Sequence, residues 1–217
     1  MRRFLPVTLL VAFAAATLWA ADAAKVLDGA TGVVQNMTSG TQIPSSVLHQ
    51  AQCVAVIPQL TKAGLIVGGE HGSGVVSCRT SNGWSAPAFI NMTGGSVGLQ
   101  AGAEHQDVIL LMNNQGKQEL ISGHWELGAE ASAAGPTGQS AAAAENTGWK
   151  APVLTYTHSK GAFAGADLGG PKLHVDNDTI HNLYGSNAPL QSILNGETPA
   201  PASAQQFLTA LQTAAGK

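Results

Sequence analysis

Charged residues are scarce in this chain of 217 residues, of which aspartate, glutamate, lysine and arginine together make up 11%. The 10 basic residues are outnumbered by 13 acidic ones. This balance excludes a nucleic-acid partner, because binding to a phosphate backbone requires a basic footprint that the sequence does not have. Aromatic residues are also few, at 5%, whereas hydrophobic residues reach 44% and glycines number 26. The composition therefore predicts one compact domain rich in glycine turns and sheet.

The first 24 residues have the pattern of a secretory signal peptide. The charged pair Arg2-Arg3 precedes an apolar run over residues 4–19, and Ala21-Asp22-Ala23 supplies a small-x-small cleavage site before Ala24. The alternative is a retained transmembrane anchor, which the short apolar run disfavours. We therefore expect a periplasmic or secreted protein with a single mature domain over residues 25–217.

The chain has only two cysteines, Cys53 and Cys78, both in strand-like surroundings. In an exported chain they are predicted to form a disulfide if their strands lie side by side. The alternative is two buried thiols on separate strands. Without a C-x-x-C motif, the two cysteines do not indicate a zinc site.

The hydrophobic periodicity predicts helices at both ends and strands between them. The predicted helices span residues 25–37, 44–50, 181–184, 190–194 and 202–214. The predicted strands span residues 53–57, 64–69, 74–78, 88–92, 107–112, 153–158, 161–168 and 172–175. Because no βαβ alternation is present, the predicted fold class is α+β, with a mainly antiparallel β-barrel or sandwich core and N-terminal and C-terminal helices.

Three glycine-rich or acidic motifs are candidates for chemistry, and each has a structural alternative that we favour. The segment 94–98 matches the G-x-S-x-G nucleophile elbow of serine hydrolases at Ser96, but a helix is not predicted after it, so we expect a glycine-packed strand. The segment 68–74 lacks the Lys-Ser/Thr ending of a phosphate-binding loop and is predicted to be a hairpin turn. Asp176 and Asp178 resemble part of a calcium loop without its glycine and glutamate, which predicts a solvated turn. We expect no catalysis, no cofactor and no bound metal.

Ordered matches over most of the mature chain make it resemble the SYLF domain family. The matching segments are AQCVAVIP (51–58), KAGLIVGG (62–69), GSGV (72–75), WSAPAF (84–89), GSVGLQAG (95–102), GP (135–136), YTHSKG (156–161), FAG (163–165) and YG (184–185). The resemblance implies a non-catalytic module that binds membrane phospholipids, with phosphoinositide binding in eukaryotic members and actin binding in a fungal branch. Because actin is not a periplasmic partner, we do not expect an exported chain to bind it. The alternative partner is a protein of the cell envelope.

The residues that remain available for anionic headgroups are a few basic side chains, joined by a tryptophan that can add apolar contact. These predicted lipid-binding residues are Lys62, Arg79, Trp84, Lys150, Lys160 and Lys172. After cleavage, Lys25 is the one basic residue before Lys62, so the basic N-terminal helix of eukaryotic members is not reproduced. Each cation near an anionic surface contributes about 1 kcal/mol, so charge alone would give weak binding.

Overall fold

The computed structural model describes residues 8–39, 43–64, 67–97, 102–123, 132–134, 151–159, 171–186 and 188–216. The helices are α1 (Thr8–Ser39), α2 (Ser45–Gln50), α3 (Asn114–Ser122), α4 (Asn177–Tyr184), α5 (Leu190–Leu194) and α6 (Gln205–Ala214). The strands are β1 (Cys53–Gly64), β2 (Val67–Thr80), β3 (Gly83–Trp84), β4 (Ala88–Val97), β5 (Gly102–Met112), β6 (Ser132–Ala134), β7 (Val153–Ser159) and β8 (Lys172–Val175).

The strands form one sheet in the order β6-β7-β5-β1-β2-β4-β8, and the short β3 pairs with β2. Every pairing is antiparallel except that of β6 with β7. The predicted α+β class with an antiparallel sheet and helices at both ends is thus confirmed. The strands β6 and β8 lie at opposite ends of this order and do not pair within the described residues, so the sheet is not closed into a barrel.

The hydrophobic core is centred on β1 and β5. Every side chain from Cys53 to Ile57 and from Val108 to Met112 is buried, which means that both faces of these strands are covered. Continuous apolar runs of this kind are what a two-sided core requires of a strand. Helix α1 packs against β1, β2 and α6, and it buries its apolar stripe there.

Helix α1 contains the predicted helix over residues 25–37 and begins further towards the N-terminus. The predicted cleavage site lies inside this helix, and Ala23 is buried in the core. In the part of the chain that the structure describes, no helix has the length and apolarity needed to cross a membrane.

Strand β1 does not end at Pro58, as the sequence predicted, but continues through a β-bulge to Gly64. Gln59 adopts a left-handed backbone conformation with φ 55°, and its N–H donates to the Asp107 carboxylate at 3.0 Å. The register with β5 shifts between Ile57 and Leu60. The bulge lets the strand bypass a proline that could not donate to the sheet.

The glycine-rich segment 68–74 is part of β2 and not a hairpin turn, so that prediction was wrong. Gly72 and Gly74 lie where a side chain would collide with neighbours on β1. A Cβ on Gly72 would lie 2.7 Å from Ile57 Cγ2, and one on Gly74 would overlap the Val56 carbonyl oxygen. Glycine here leaves room for the β1 side chains around the bulge, which is a packing requirement that turn statistics do not include.

Two other predicted segments have different outcomes. The turn predicted at 113–116 was wrong, because helix α3 begins there. Asn113 caps the helix by accepting from the Gly116 N–H at 3.0 Å, and Gly123 ends it in a left-handed conformation. The predicted strand over 161–168 lies outside the described residues.

Cys53 and Cys78 face each other across the β1–β2 pair, with a Cα–Cα distance of 3.9 Å and an S–S distance of 2.00 Å. The strands therefore have the side-by-side arrangement on which the predicted disulfide depended. Both residues have 0% exposure.

We expect the disulfide to resist reduction in the native protein, because a reductant cannot reach two fully buried sulfur atoms. The bond would be reduced once urea unfolds the chain, as followed by thiol labelling with and without denaturant.

The Cys53→Ala/Cys78→Ala variant is expected to lose about 2 to 3 kcal/mol of unfolding free energy, since it lacks a cross-link that restricts the unfolded chain. Rapid labelling of both thiols in reduced but fully folded protein would contradict this picture.

Candidate functional site

The predicted lipid-binding residues do not form one cluster among the described residues. Lys150 and Lys160 lie outside the described part of the chain. Arg79 and Trp84 lie together at one end of β2, while Lys62 and Lys172 lie towards the other. His71 and Arg79 are eight residues apart on β2, which corresponds to about 27 Å along a strand.

Arg79 and Trp84 form a stacked pair with a structural role. The Arg79 guanidinium lies 4.6 Å from the Trp84 ring centroid, and it donates to the Ala51 and Leu48 carbonyl oxygens at 2.9 and 3.3 Å. These carbonyls lie at the C-terminal end of α2, where the Leu48 oxygen also accepts the Ala51 N–H at 3.2 Å. Burial lowers the pKa of Arg79. The pair thus anchors α2 to the sheet and is engaged within the fold.

Lys62 is engaged on the sheet face that carries Glu70. The two side chains are register partners on β1 and β2, and Lys62 Nζ lies 3.4 Å from Glu70 Oε2. Their side-chain exposures are 14% and 3%, so water screens this ion pair weakly. The Glu70 carboxylate lies over Gly94 on β4, where a Cβ would overlap it.

The opposite face of the sheet carries a row of polar side chains that crosses five strands. His105 on β5, Thr61 on β1 and His71 on β2 are successive register partners. The row continues through Thr93 on β4 to Lys172 on β8. Both histidines and Lys172 are exposed, and Thr61 Oγ1 lies 3.1 Å from His105 Nδ1.

A second row lies beside the first on the same face. His174 on β8 is paired with Asn91 on β4, and Asn91 is paired with Ser73, which donates to its side-chain oxygen at 2.8 Å. At the other side of the sheet, His158 on β7 is paired with Asp107 on β5. His174 is exposed and His158 half-buried.

We call His71, His105, His158, His174 and Lys172 together the histidine surface. The sequence analysis identified Lys172 but not the four histidines, because they are spread over β2, β5, β7 and β8 and only the strand order brings them to one face. One signal was present: His71, His105, His158 and His174 each lie in or beside a strand-like segment near a glycine-rich turn.

A groove of about 710 Å³ lies between α1 and α6. Its lining is neutral and consists mostly of hydroxyl and amide side chains, among them Thr31, Gln35, Thr38, Gln205, Thr209 and Thr213. The groove therefore offers no charge complementarity to an anionic headgroup.

Ser96 and Asp176, which the sequence offered as candidates for catalysis and for calcium binding, both have structural roles. Ser96 lies inside the paired strand β4, and the next element is strand β5, so the strand-to-helix turn of a nucleophile elbow does not occur at this serine. Asp176 caps α4 by accepting from the N–H and hydroxyl of Thr179 at 3.0 and 2.9 Å. Among the described residues, no three His, Cys, Asp or Glu side chains are grouped to hold a metal ion.

Comparison with known proteins gives consistent matches. The family described as Ysc84, "Las17-binding protein actin regulator", matches residues 93–214. Protein YSC84 of Saccharomyces cerevisiae is 36% identical over 199 residues, which cover 89% of this chain and 42% of that protein.

Two further relatives extend this picture. LAS seventeen-binding protein 3 of the same yeast is 36% identical over 201 residues, covering 89% of this chain and 43% of that protein. The human SH3 domain-containing YSC84-like protein 1 is 32% identical over 198 residues, covering 89% of this chain and 58% of that protein. The chain thus spans about half the length of the curated relatives it matches. No solved structure matches it.

Proposed function

Because the chain belongs to the Ysc84 (SYLF) family, we propose that it is an exported, non-catalytic protein that binds the surface of anionic phospholipid membranes. The observation that carries this proposal is the histidine surface, where exposed Lys172, His71, His105 and His174 share one sheet face with hydroxyl and amide groups. Cationic and hydrogen-bonding groups on one sheet face suit the phosphates of several lipid headgroups.

Export is part of the proposal and is supported by the leader pattern and by the buried cysteine pair. The intact mass of the protein recovered outside the cytoplasm tests both features at once. We expect a chain that begins at Ala24 and lacks the two thiol hydrogens. Recovery of the full-length chain with two free thiols from the cytoplasmic fraction would contradict it.

We expect the mature protein to co-sediment with phosphatidylglycerol vesicles and not with phosphatidylcholine vesicles, more strongly at low salt than at high salt. The variant Lys172→Glu is expected to weaken this binding about 10-fold or more, because it replaces an attractive charge by a repulsive one. Lys117→Glu on α3 makes the same charge change away from the histidine surface and serves as the control. Equal weakening by both variants would show that net charge, and not this surface, determines binding.

A protein partner is the second candidate function. The family description and the name of LAS seventeen-binding protein 3 both refer to binding of a protein. Co-sedimentation with actin filaments under the same conditions separates the two candidates. If the protein sediments with actin filaments but does not sediment with either type of vesicle, the protein partner is favoured.

A further inference from the structure

We infer that the histidine surface is the face that meets an anionic phospholipid membrane, and that it does so most strongly in acid, when its imidazoles carry protons. This inference rests on the proposed lipid binding and adds to it the contact surface and the condition under which the contact is strong. Imidazole is the side chain that gains its charge between about pH 8 and pH 5, which is why a cluster of histidines responds to this range.

The extent of the surface favours a membrane over a single anion. From β7 to β8 the surface crosses five strand-to-strand intervals, or about 24 Å at the usual spacing of strands in a sheet. Its groups are spread over a sheet face and do not converge on one point. A single phosphate could contact only one or two of these groups, whereas the headgroups of a membrane surface could contact all of them.

Within the described ranges, each strand of this face carries few charged groups. Strand β2 contributes His71, β5 contributes His105 and Asp107, β7 contributes His158, and β8 contributes Lys172 and His174. Among the described residues, β1 contributes uncharged Thr61 here and β4 contributes uncharged Thr93 and Asn91, while β2 adds uncharged Ser73 beside His71.

The acidic group on this face is held within the fold. Asp107 is 7% exposed and accepts the Gln59 N–H, so it is directed to the bulge. Helix α1 approaches the bulge at Gly29, whose Cβ would lie 3.1 Å from Pro58, and its neighbouring charged residues Lys25 and Asp28 are exposed and of opposite sign. Protonation of the imidazoles therefore adds positive charge to a face on which the described residues place little negative charge.

The first test compares binding to vesicles of phosphatidylglycerol and phosphatidylcholine at pH 7.5 and pH 5.0. For wild-type protein we expect about 100-fold stronger partition at pH 5.0, since each proton gained by the three exposed histidines, His71, His105 and His174, contributes about fivefold near the anionic surface. The neutral variant His71→Gln/His105→Asn should lose about 25-fold of this gain. Asparagine suits position 105 because its side chain can replace the imidazole nitrogen that faces Thr61. His181→Asn, at an exposed position on α4, is the matched control and should keep the full gain.

The second test makes the charge permanent. In His71→Lys/His105→Lys the two positions stay positive at both pH values, so we expect strong binding at pH 7.5 and a pH dependence reduced by about 25-fold. Circular dichroism at both pH values identifies any variant that has lost its fold. The lysine and neutral variants change the same positions in opposite directions, so a shared folding defect cannot produce both results.

The outcomes distinguish a failure of the pH-dependent contact from a failure of lipid binding itself. Binding to anionic vesicles that is equal at both pH values, or that the histidine variants leave unchanged, overturns the inference and leaves lipid binding in place. Binding to neither vesicle type at either pH overturns lipid binding and the inference together.

Discussion

Replacement of Gly74 by alanine is expected to lower the free energy of unfolding by about 3 kcal/mol or more, because the added methyl group has no space between two central strands. Its Cβ would overlap the Val56 carbonyl oxygen and lie 2.9 Å from Ile57 Cγ1 and 3.1 Å from Ile57 Cα. Two of these three atoms belong to the backbone of β1, so relief requires the strands to move apart. Urea denaturation followed by circular dichroism measures the loss.

Gly69→Ala is the matched control for this substitution. Gly69 lies on the same strand, and the nearest atom to its Cβ would be the Gly94 carbonyl oxygen at 3.9 Å, an ordinary contact distance. Alanine there should be neutral or slightly stabilising, because it restricts the unfolded chain. Equal stability of the two variants would show that β1 and β2 can separate at Gly74 without cost.

Substitution of Lys62 by methionine is expected to cost about 3 to 5 kcal/mol near pH 7, because it leaves the Glu70 carboxylate buried without its ion-pair partner. Glu70 has 3% side-chain exposure, and Lys62 Nζ lies 3.4 Å from its Oε2. Thermal unfolding monitored by circular dichroism at pH 7 gives the size of the loss.

The pH dependence distinguishes this mechanism from lost packing. In Lys62→Met, the carboxyl group can lose its buried charge by taking up a proton, so the destabilisation relative to wild type should shrink as the pH falls towards 4. Lys25→Met, at an exposed position on α1, should remain close to wild type throughout. A penalty in Lys62→Met that is the same at pH 7 and pH 4 would indicate that the lysine contributes through its alkyl chain alone.

The sequence predicted those features of the fold that depend on local pattern. The apolar runs at residues 53–57 and 107–112 indicated buried strands, and the 3.6-residue spacing of Leu27, Ala30 and Val34 indicated the helix that covers them. The α+β class followed from the order of these elements. Each of these signals is contained within a dozen residues.

Features that depend on contacts between distant residues were not predictable in this way. The glycines at 72 and 74 indicated a turn until the packing of Ile57 against them was known. The extension of β1 beyond Pro58 depends on Asp107, which is 48 residues away from Gln59. Similarly, Lys62 and Arg79 are indistinguishable from free surface cations in the sequence, and only the structure reveals Glu70 and the α2 carbonyls beside them.

The bulge in β1 determines what the two faces of the sheet present to their surroundings. Side chains alternate between faces along a strand, and one inserted residue exchanges the faces of everything that follows. Before the bulge, Val56 lies on the same face as Thr61 after it, since both are register partners of odd-numbered residues on β5. If the same β1 sequence alternated without a break through Gln59, Lys62 would lie on the face of His71 and His105, and Thr61 would lie on the face of Glu70. The extra residue thus determines which face each later β1 side chain occupies: it places Lys62 beside Glu70 and leaves Thr61 on the face that carries His71 and His105.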